Sequence, residues 1–173
     1  MTGGTSPLAS VANLIDRLND QLGRGLSWLV LALILVQLAI VVLRYVFQIG
    51  SVWVQESLLY GNALLFLGAA GYTLLKDAHV RVDLFYREAS AKTKAWVNLL
   101  GVLLFLWPLC GLIGVAGIPY VAKSWAVFEG SVETTGLQAV YLLKSLILLF
   151  GLSLALQGLS LAIRSWLVIG GDQ

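Results

Sequence analysis

Charged residues are scarce in this chain of 173 residues: they make up 12% of it, whereas hydrophobic residues make up 59%. A soluble domain has about 25% charged and about 45–50% apolar residues. A chain of this length also has too little interior to bury such an excess of apolar surface. The composition therefore predicts a membrane protein. The net charge of only +2 argues against a nucleic acid partner, because nucleic acid binding needs many basic contacts.

Cysteine and histidine each occur once, as Cys110 and His79. A single cysteine excludes an intrachain disulfide, and a single histidine excludes a haem held by two histidines of this chain or a multi-histidine metal site. The sequence also lacks a glycine-rich phosphate loop and a nucleophile–base pair at a recognisable spacing. We therefore expect neither an enzyme nor a bound cofactor.

Long apolar runs dominate what is present. A helix rises 1.5 Å per residue, so about 20 residues cross the hydrocarbon core. The runs predict an all-α integral membrane protein with four transmembrane helices inside a membrane domain of residues 26–163. The predicted spans are about 26–47, 58–75, 95–121 and 137–163, with a polar loop at 76–94, a semi-polar segment at 122–136 and a C-terminal tail at 164–173.

Residues 1–25 are predicted to form a loose tail followed by an amphipathic surface helix. Ser6 and Pro7 are typical of a helix start, and apolar residues then recur at helical spacing opposite polar ones. This pattern favours a helix that lies in the plane of the membrane surface. The alternative is a solvated helix that packs on protein.

His79 and Asp83 lie four residues apart in the 76–94 loop and would share one face of a helix. The apolar and charged residues around them indicate a second short surface helix. A metal site needs more ligands than this loop offers. We therefore interpret the two residues as a structural hydrogen-bonded pair that orders the loop.

The orientation follows from the basic residues. With four spans, both termini and the 76–94 loop share one side, which holds eight of the eleven lysines and arginines. The positive-inside rule therefore places both termini and this loop in the cytoplasm and the 122–136 segment in the periplasm. Trp53 and Trp125 mark the periplasmic helix ends, because tryptophan favours the membrane interface.

Three charged residues lie within or at the edges of the predicted spans. Arg44 is three residues from the end of the first run, Glu56 begins the second span, and Lys144 lies about two turns inside the fourth helix. A hairpin would bring Arg44 near Glu56, so an ion pair is one hypothesis; the alternative is that each charge snorkels to the headgroups. Lys144 could reach Glu56, a lipid phosphate or a second subunit.

The centres of the predicted spans contain no acidic residue. A proton-coupled carrier normally places a carboxylate in its path, and the amides and hydroxyls present more often bond neighbouring helices than bind ions. The chain is therefore too poor in polar groups to move a solute alone. This argues against a self-sufficient small four-helix carrier, and the single histidine argues against a haem-bearing membrane anchor subunit. The central polar residues are Gln37, Asn62, Asn98, Ser153 and Gln157.

Several short motifs, in order, resemble the small membrane subunit of tripartite ATP-independent periplasmic (TRAP) transporters. The resemblance covers nearly the whole chain from the first helix onward. Gln55 departs from the family pattern, which often has an acidic residue there, and Gln138 replaces a frequent proline. The motifs are 44–47 (RYVF), Trp53, Glu56, 67–70 (LGAA), 77–83 (DAHVRVD), Tyr120, 124–125 (SW), 129–131 (EGS), 136–137 (GL), 141–145 (YLLKS) and 156–158 (LQG).

The resemblance implies a role in the bacterial inner membrane. Such transporters take up organic acids with a periplasmic binding protein and a sodium gradient, and a large membrane subunit carries the sites by an elevator motion. The small subunit would be a static scaffold in a stable complex with the large subunit, surrounded by lipid and in transient contact with the binding protein. On this basis Arg44, Glu56 and Lys144 are expected to stabilise the periplasmic half or the contact with the large subunit.

Overall fold

The computed structural model describes residues 7–78 and 89–171, and the regular structure in this part is helical. His79 and Asp83 lie outside the described residues, so the predicted pair and surface helix there stay predictions. The elements are α1 (Pro7–Tyr45), α2 (Val52–Gly68), α3 (Ala70–Leu75), α4 (Ala91–Gly101), a π-helical turn (Val102–Leu106), α5 (Trp107–Ala126) and α6 (Val140–Gly170).

Within these residues, four helical stretches are long and apolar enough to cross a membrane. α3 continues α2 after one residue, and α4, the π-helical turn and α5 follow one another without a gap, so each group forms one span. The prediction of an all-α protein with four transmembrane helices is thus confirmed. The stretches are Pro7–Tyr45, Val52–Leu75, Ala91–Ala126 and Val140–Gly170.

α1 is one helix of 39 residues, about 58 Å long at 1.5 Å per residue. The structure therefore has no helix break at the boundary that the sequence predicted between residues 25 and 26. The buried face of its first half recurs at helical spacing and packs on α6 and α3. Surface contact is left to another face of the helix, where Leu14 and Leu18 are exposed. The buried residues are Ala12, Ile15, Asn19, Gly23 and Leu26.

α6 is the central helix, because it contacts every other helix of the described chain. Small residues allow these approaches: a Cβ atom at Gly158 would lie 2.6 Å from the Leu106 side chain, and one at Gly151 would lie 3.1 Å from Ile113. α6 ends at Gly170, and the Gly171 that follows has a φ of 79°, the left-handed conformation that glycine favours at a helix end. The predicted C-terminal tail is therefore helical from residue 164 to Gly170.

Two glycines of α1 give a matched test of this packing. A Cβ atom at Gly23 would lie 2.1 Å from the Tyr72 ring, whereas one at Gly25 would meet nothing within 4 Å. We expect Gly23→Ala to destabilise the protein by about 1–3 kcal/mol through overpacking. Gly25→Ala should stabilise it by about 0.5–1 kcal/mol, because alanine favours a helix. Thermal unfolding in detergent compares the two; equal shifts would contradict the packing of α1 on α3.

Candidate functional site

Glu56 anchors the chain between α5 and α6 to the start of α2. We call the end of the bundle that holds residues 46–51 and 127–139 the turn end, and the opposite one the terminal end. The Glu56 carboxylate accepts hydrogen bonds from the Ser131 hydroxyl and the Leu137 backbone N–H, each at 2.5 Å. A Cβ atom at Gly136 would lie 2.6 and 2.7 Å from the two carboxylate oxygens, so glycine permits this close approach.

Lys144 forms a second anchor at the turn end. Its ammonium group lies 2.5 Å from a Glu129 carboxylate oxygen and 4.4 Å from the centre of the Tyr120 ring. Lys144 therefore joins α6 to the chain that follows α5 and to α5 itself. Of the partners considered for Lys144 from sequence, Glu56 is not the one that the structure provides.

Aromatic side chains join α5 and α6 beside this pair. The Trp125 indole donates a hydrogen bond of 2.8 Å to the Ser145 hydroxyl, and its ring meets Tyr141 edge-on at 4.7 Å between centroids. Phe128 has a φ of 45°, a conformation that is strained for a bulky residue, and its ring also packs edge-on against Tyr141. Trp53 is 55% exposed and stands apart from this cluster.

The structure does not bring Arg44 and Glu56 together. In residues 7–78 and 89–171, no ion pair joins them, because the Glu56 carboxylate is directed at Ser131 and Leu137. Arg44 instead borders a groove between α1 and α2, beside Gln55.

The terminal end holds a polar cluster, centred on Asp16, that the sequence pattern did not predict. Asp16 accepts hydrogen bonds from Ser160 at 2.6 Å, from the Gln157 amide at 2.9 Å and from the Arg164 guanidinium at 3.0 Å. Gln157 in turn accepts a hydrogen bond of 2.8 Å from Asn19. Ser160 is 0% and Gln157 4% exposed, so the cluster fixes α1 on α6. The only signal in the sequence was the expectation that Gln157 bonds a neighbouring helix.

Asp20 makes a more exposed set of contacts one turn further along α1. Its carboxylate lies 2.7 Å from Arg24 and 2.7 Å from Lys76, and the Lys76 ammonium lies 5.3 Å from the Tyr72 ring centre. The hydrogen bond to Asp20 raises the pKa of Lys76. These contacts join α1 to the residues that follow α3.

These clusters brace helices and do not form a metal site. The acidic side chains on the described helices are Asp16, Asp20 and Glu56, and donors of the chain itself bind each of them. No group of three or more histidine, cysteine or acidic residues in the described part of the chain could hold a metal ion.

The fold and these clusters define a multi-pass helical membrane protein in which the acidic side chains of the described helices hold those helices together. The chain matches the family model described as tripartite ATP-independent periplasmic transporters, DctQ component, over residues 33–168. It belongs to this family of transporter components, which confirms the resemblance seen in the sequence. No curated protein and no solved structure matched the chain.

The Glu129–Lys144 pair predicts a specific pH dependence. The hydrogen bond from Lys144 lowers the pKa of Glu129, so the charged carboxylate is favoured in the folded state. The resulting stability is complete above the ordinary glutamate pKa of about 4.3 and is lost as the pH falls through the lowered value. Thermal unfolding in detergent at pH 7, 5 and below 4 measures this loss.

Lys144→Met is the control for this pH dependence. The variant should start less stable at pH 7 and lose less stability on acidification than the wild type does. Parallel losses in both proteins would show that other groups cause the acid sensitivity.

Proposed function

We propose that this chain is the small scaffold subunit of a sodium-driven TRAP transporter for organic acid uptake. It forms a stable complex with a large elevator-type subunit in the bacterial inner membrane, with lipid around it, and a periplasmic binding protein contacts the complex transiently. One observation carries the proposal: the chain's own donors already occupy the carboxylates on the described helices.

Coupled transport normally uses an unpaired carboxylate or cation deep in the membrane, and the described helices offer neither. A sodium ion is a hard cation that requires several oxygen ligands in one cavity, as calcium and magnesium do, and an anionic substrate requires an available cation. Glu129 already occupies Lys144, and Arg44 lies one residue before the end of α1. The sodium and substrate sites therefore belong to the large subunit, and this chain supplies fixed support.

The fixed contacts also suit a scaffold better than a moving part. Hydrogen bonds and ion pairs tie α1 to α6 at the terminal end. Glu56 and Lys144 tie α2 and α6 to the 127–139 chain at the turn end. An elevator motion needs helices that slide past one another, whereas buried polar networks rigidify the helices that they connect. The excess of basic residues at the terminal end supports cytoplasmic termini and a periplasmic turn end.

Copurification tests the proposed complex directly. The chain is expressed with the cognate large membrane subunit, and an affinity tag on this chain is used for purification in mild detergent. We expect both subunits to elute together in a fixed ratio through size exclusion. Recovery of this chain alone, under conditions in which the large subunit is present and folded, would contradict the proposal.

A further inference from the structure

An open groove runs between α1 and α2, and polar side chains line it. The groove has a volume of about 480 Å³ and is bordered by Gln37 and Arg44 of α1 and by Gln55 and Asn62 of α2. It continues past Gln37 and Asn62 into a further 320 Å³ beside Ile34.

Two of these polar side chains lie near the middle of the predicted hydrocarbon layer. Gln37 is eight residues before Tyr45 at the end of α1, and Asn62 is ten residues after Val52 at the start of α2. At 1.5 Å per residue they lie about 12 and 15 Å from these helix ends, and half of the hydrocarbon core is about 15 Å thick. Neither side chain can easily reach water.

The four polar side chains of the groove have no partner within the described residues, and all four are exposed. The buried amides of Asn19 and Gln157, by contrast, bond each other at 2.8 Å. A polar group without a partner is costly in hydrocarbon, and a lipid tail offers no hydrogen bond. A protein helix with polar side chains can satisfy such groups.

We propose that this groove binds a transmembrane helix of the large membrane subunit, an inference that rests on the proposed function. The helix carries hydrogen-bonding side chains at the depth of Gln37 and Asn62, and an acidic side chain or helix C-terminal carbonyls near Arg44. The groove suits a helix because α1 and α2 are packed closely: a Cβ atom at Gly61 would lie 2.5 Å from the Leu33 side chain, so its walls are held together.

Charge and depth argue against the other occupants. In a symmetric pair of this chain the same surface faces itself, so the Arg44 guanidinium groups would approach each other with nothing acidic in the groove lining to offset the repulsion. A lipid phosphate could bind Arg44 at the membrane edge, but it cannot reach Gln37 and Asn62.

Two neighbouring positions of α1 provide the test. Ile34 is 59% and Leu35 57% exposed. Ile34 lines the groove, whereas Leu35 lies about 160° around the helix from Gln37, at 100° per residue, and so faces away from the groove. In the copurification assay, Ile34→Trp should lower the yield of the large subunit about tenfold, and Leu35→Trp should leave it unchanged. Equal yields from the two variants would overturn the inference.

A double substitution tests the polar contacts themselves. Gln37→Leu with Asn62→Leu keeps the side chains at similar size and removes their hydrogen bonds, so this chain should fold normally by circular dichroism and retain several-fold less large subunit. A normally folded variant that retains as much large subunit as the wild type would refute the proposed hydrogen bonds of Gln37 and Asn62 to the large subunit.

A photoreactive amino acid at position 34 identifies the occupant. A cross-link to the large subunit supports the inference, and a cross-link only to lipid or to a second copy of this chain overturns it. Copurification of the large subunit with the wild-type chain is the reference. Failure of this wild-type copurification would refute the proposed function. Successful wild-type copurification, with equal yields from Ile34→Trp and Leu35→Trp, would refute the groove proposal alone.

Discussion

Glu56→Ala should release residues 127–139 from α2 and destabilise the turn end of the bundle. The substitution removes the acceptor for both Ser131 and the Leu137 N–H. Hydrogen bonds to a charged group contribute about 1.5–3 kcal/mol each. Glu56 is only half-buried, so water can replace part of this contribution, and we expect a loss of about 2–4 kcal/mol and an unfolding midpoint lower by several degrees. Hydrogen exchange of the Leu137 amide, measured by mass spectrometry on the 129–139 peptide, should become much faster.

Glu133→Ala is the matched control, because Glu133 is an exposed glutamate within residues 127–139, the segment that Glu56 anchors. It should leave the midpoint and the exchange of Leu137 close to the wild-type values. Glu56→Gln should fall between wild type and Glu56→Ala, since an amide keeps one acceptor oxygen. Unchanged exchange and an unchanged midpoint in Glu56→Ala, together with normal complex yield and uptake, would remove Glu56 as the anchor of this segment.

Asp16→Ala should separate the first half of α1 from α6. The variant leaves the Gln157 amide N–H buried without its acceptor and Arg164 without its counter-charge. Ser160 keeps only the longer contact of 3.3 Å to the Ala12 carbonyl. Removing one partner of a largely buried charged network costs about 2–4 kcal/mol, mostly because the remaining groups stay buried and unpaired. Thermal unfolding in detergent measures the loss. A double-mutant cycle with Arg164→Ala should show coupling, because both side chains belong to one network.

Asp20→Ala is the control for Asp16, since its partners Arg24 and Lys76 are 75% and 47% exposed and exposed ion pairs add little stability. We expect a clearly smaller loss than in Asp16→Ala. Equal losses, or a cycle in which the effects of Asp16 and Arg164 simply add, would contradict the account of the terminal end.

Length and apolar composition were sufficient to predict the four spans. They could not predict that α1 continues through residue 25, because an amphipathic face looks the same whether it packs on a membrane surface or on another helix. The structure decides this through Asp16 and Asn19, whose partners on α6 lie 141 and 138 residues away. No short-range sequence pattern indicates a pairing between residues so far apart.

The Arg44–Glu56 hypothesis shows a second limit. A hairpin does bring the two helix ends together, but successive residues of a helix are turned by about 100°. Gln55 therefore shares the groove with Arg44, and Glu56 points away toward Ser131. The sequence pattern singled out Glu56 and Lys144 but missed Asp16, and only the fold assigns the partners of all three.

Reconstituted uptake tests the central claim that these helices support a transport path housed in another chain. Proteoliposomes would hold this chain alone, the large subunit alone or both, with the binding protein and labelled organic acid outside under an inward sodium gradient. We expect sodium-dependent uptake by the pair and none by this chain alone. Sodium-dependent uptake by vesicles that contain only this chain would contradict the claim.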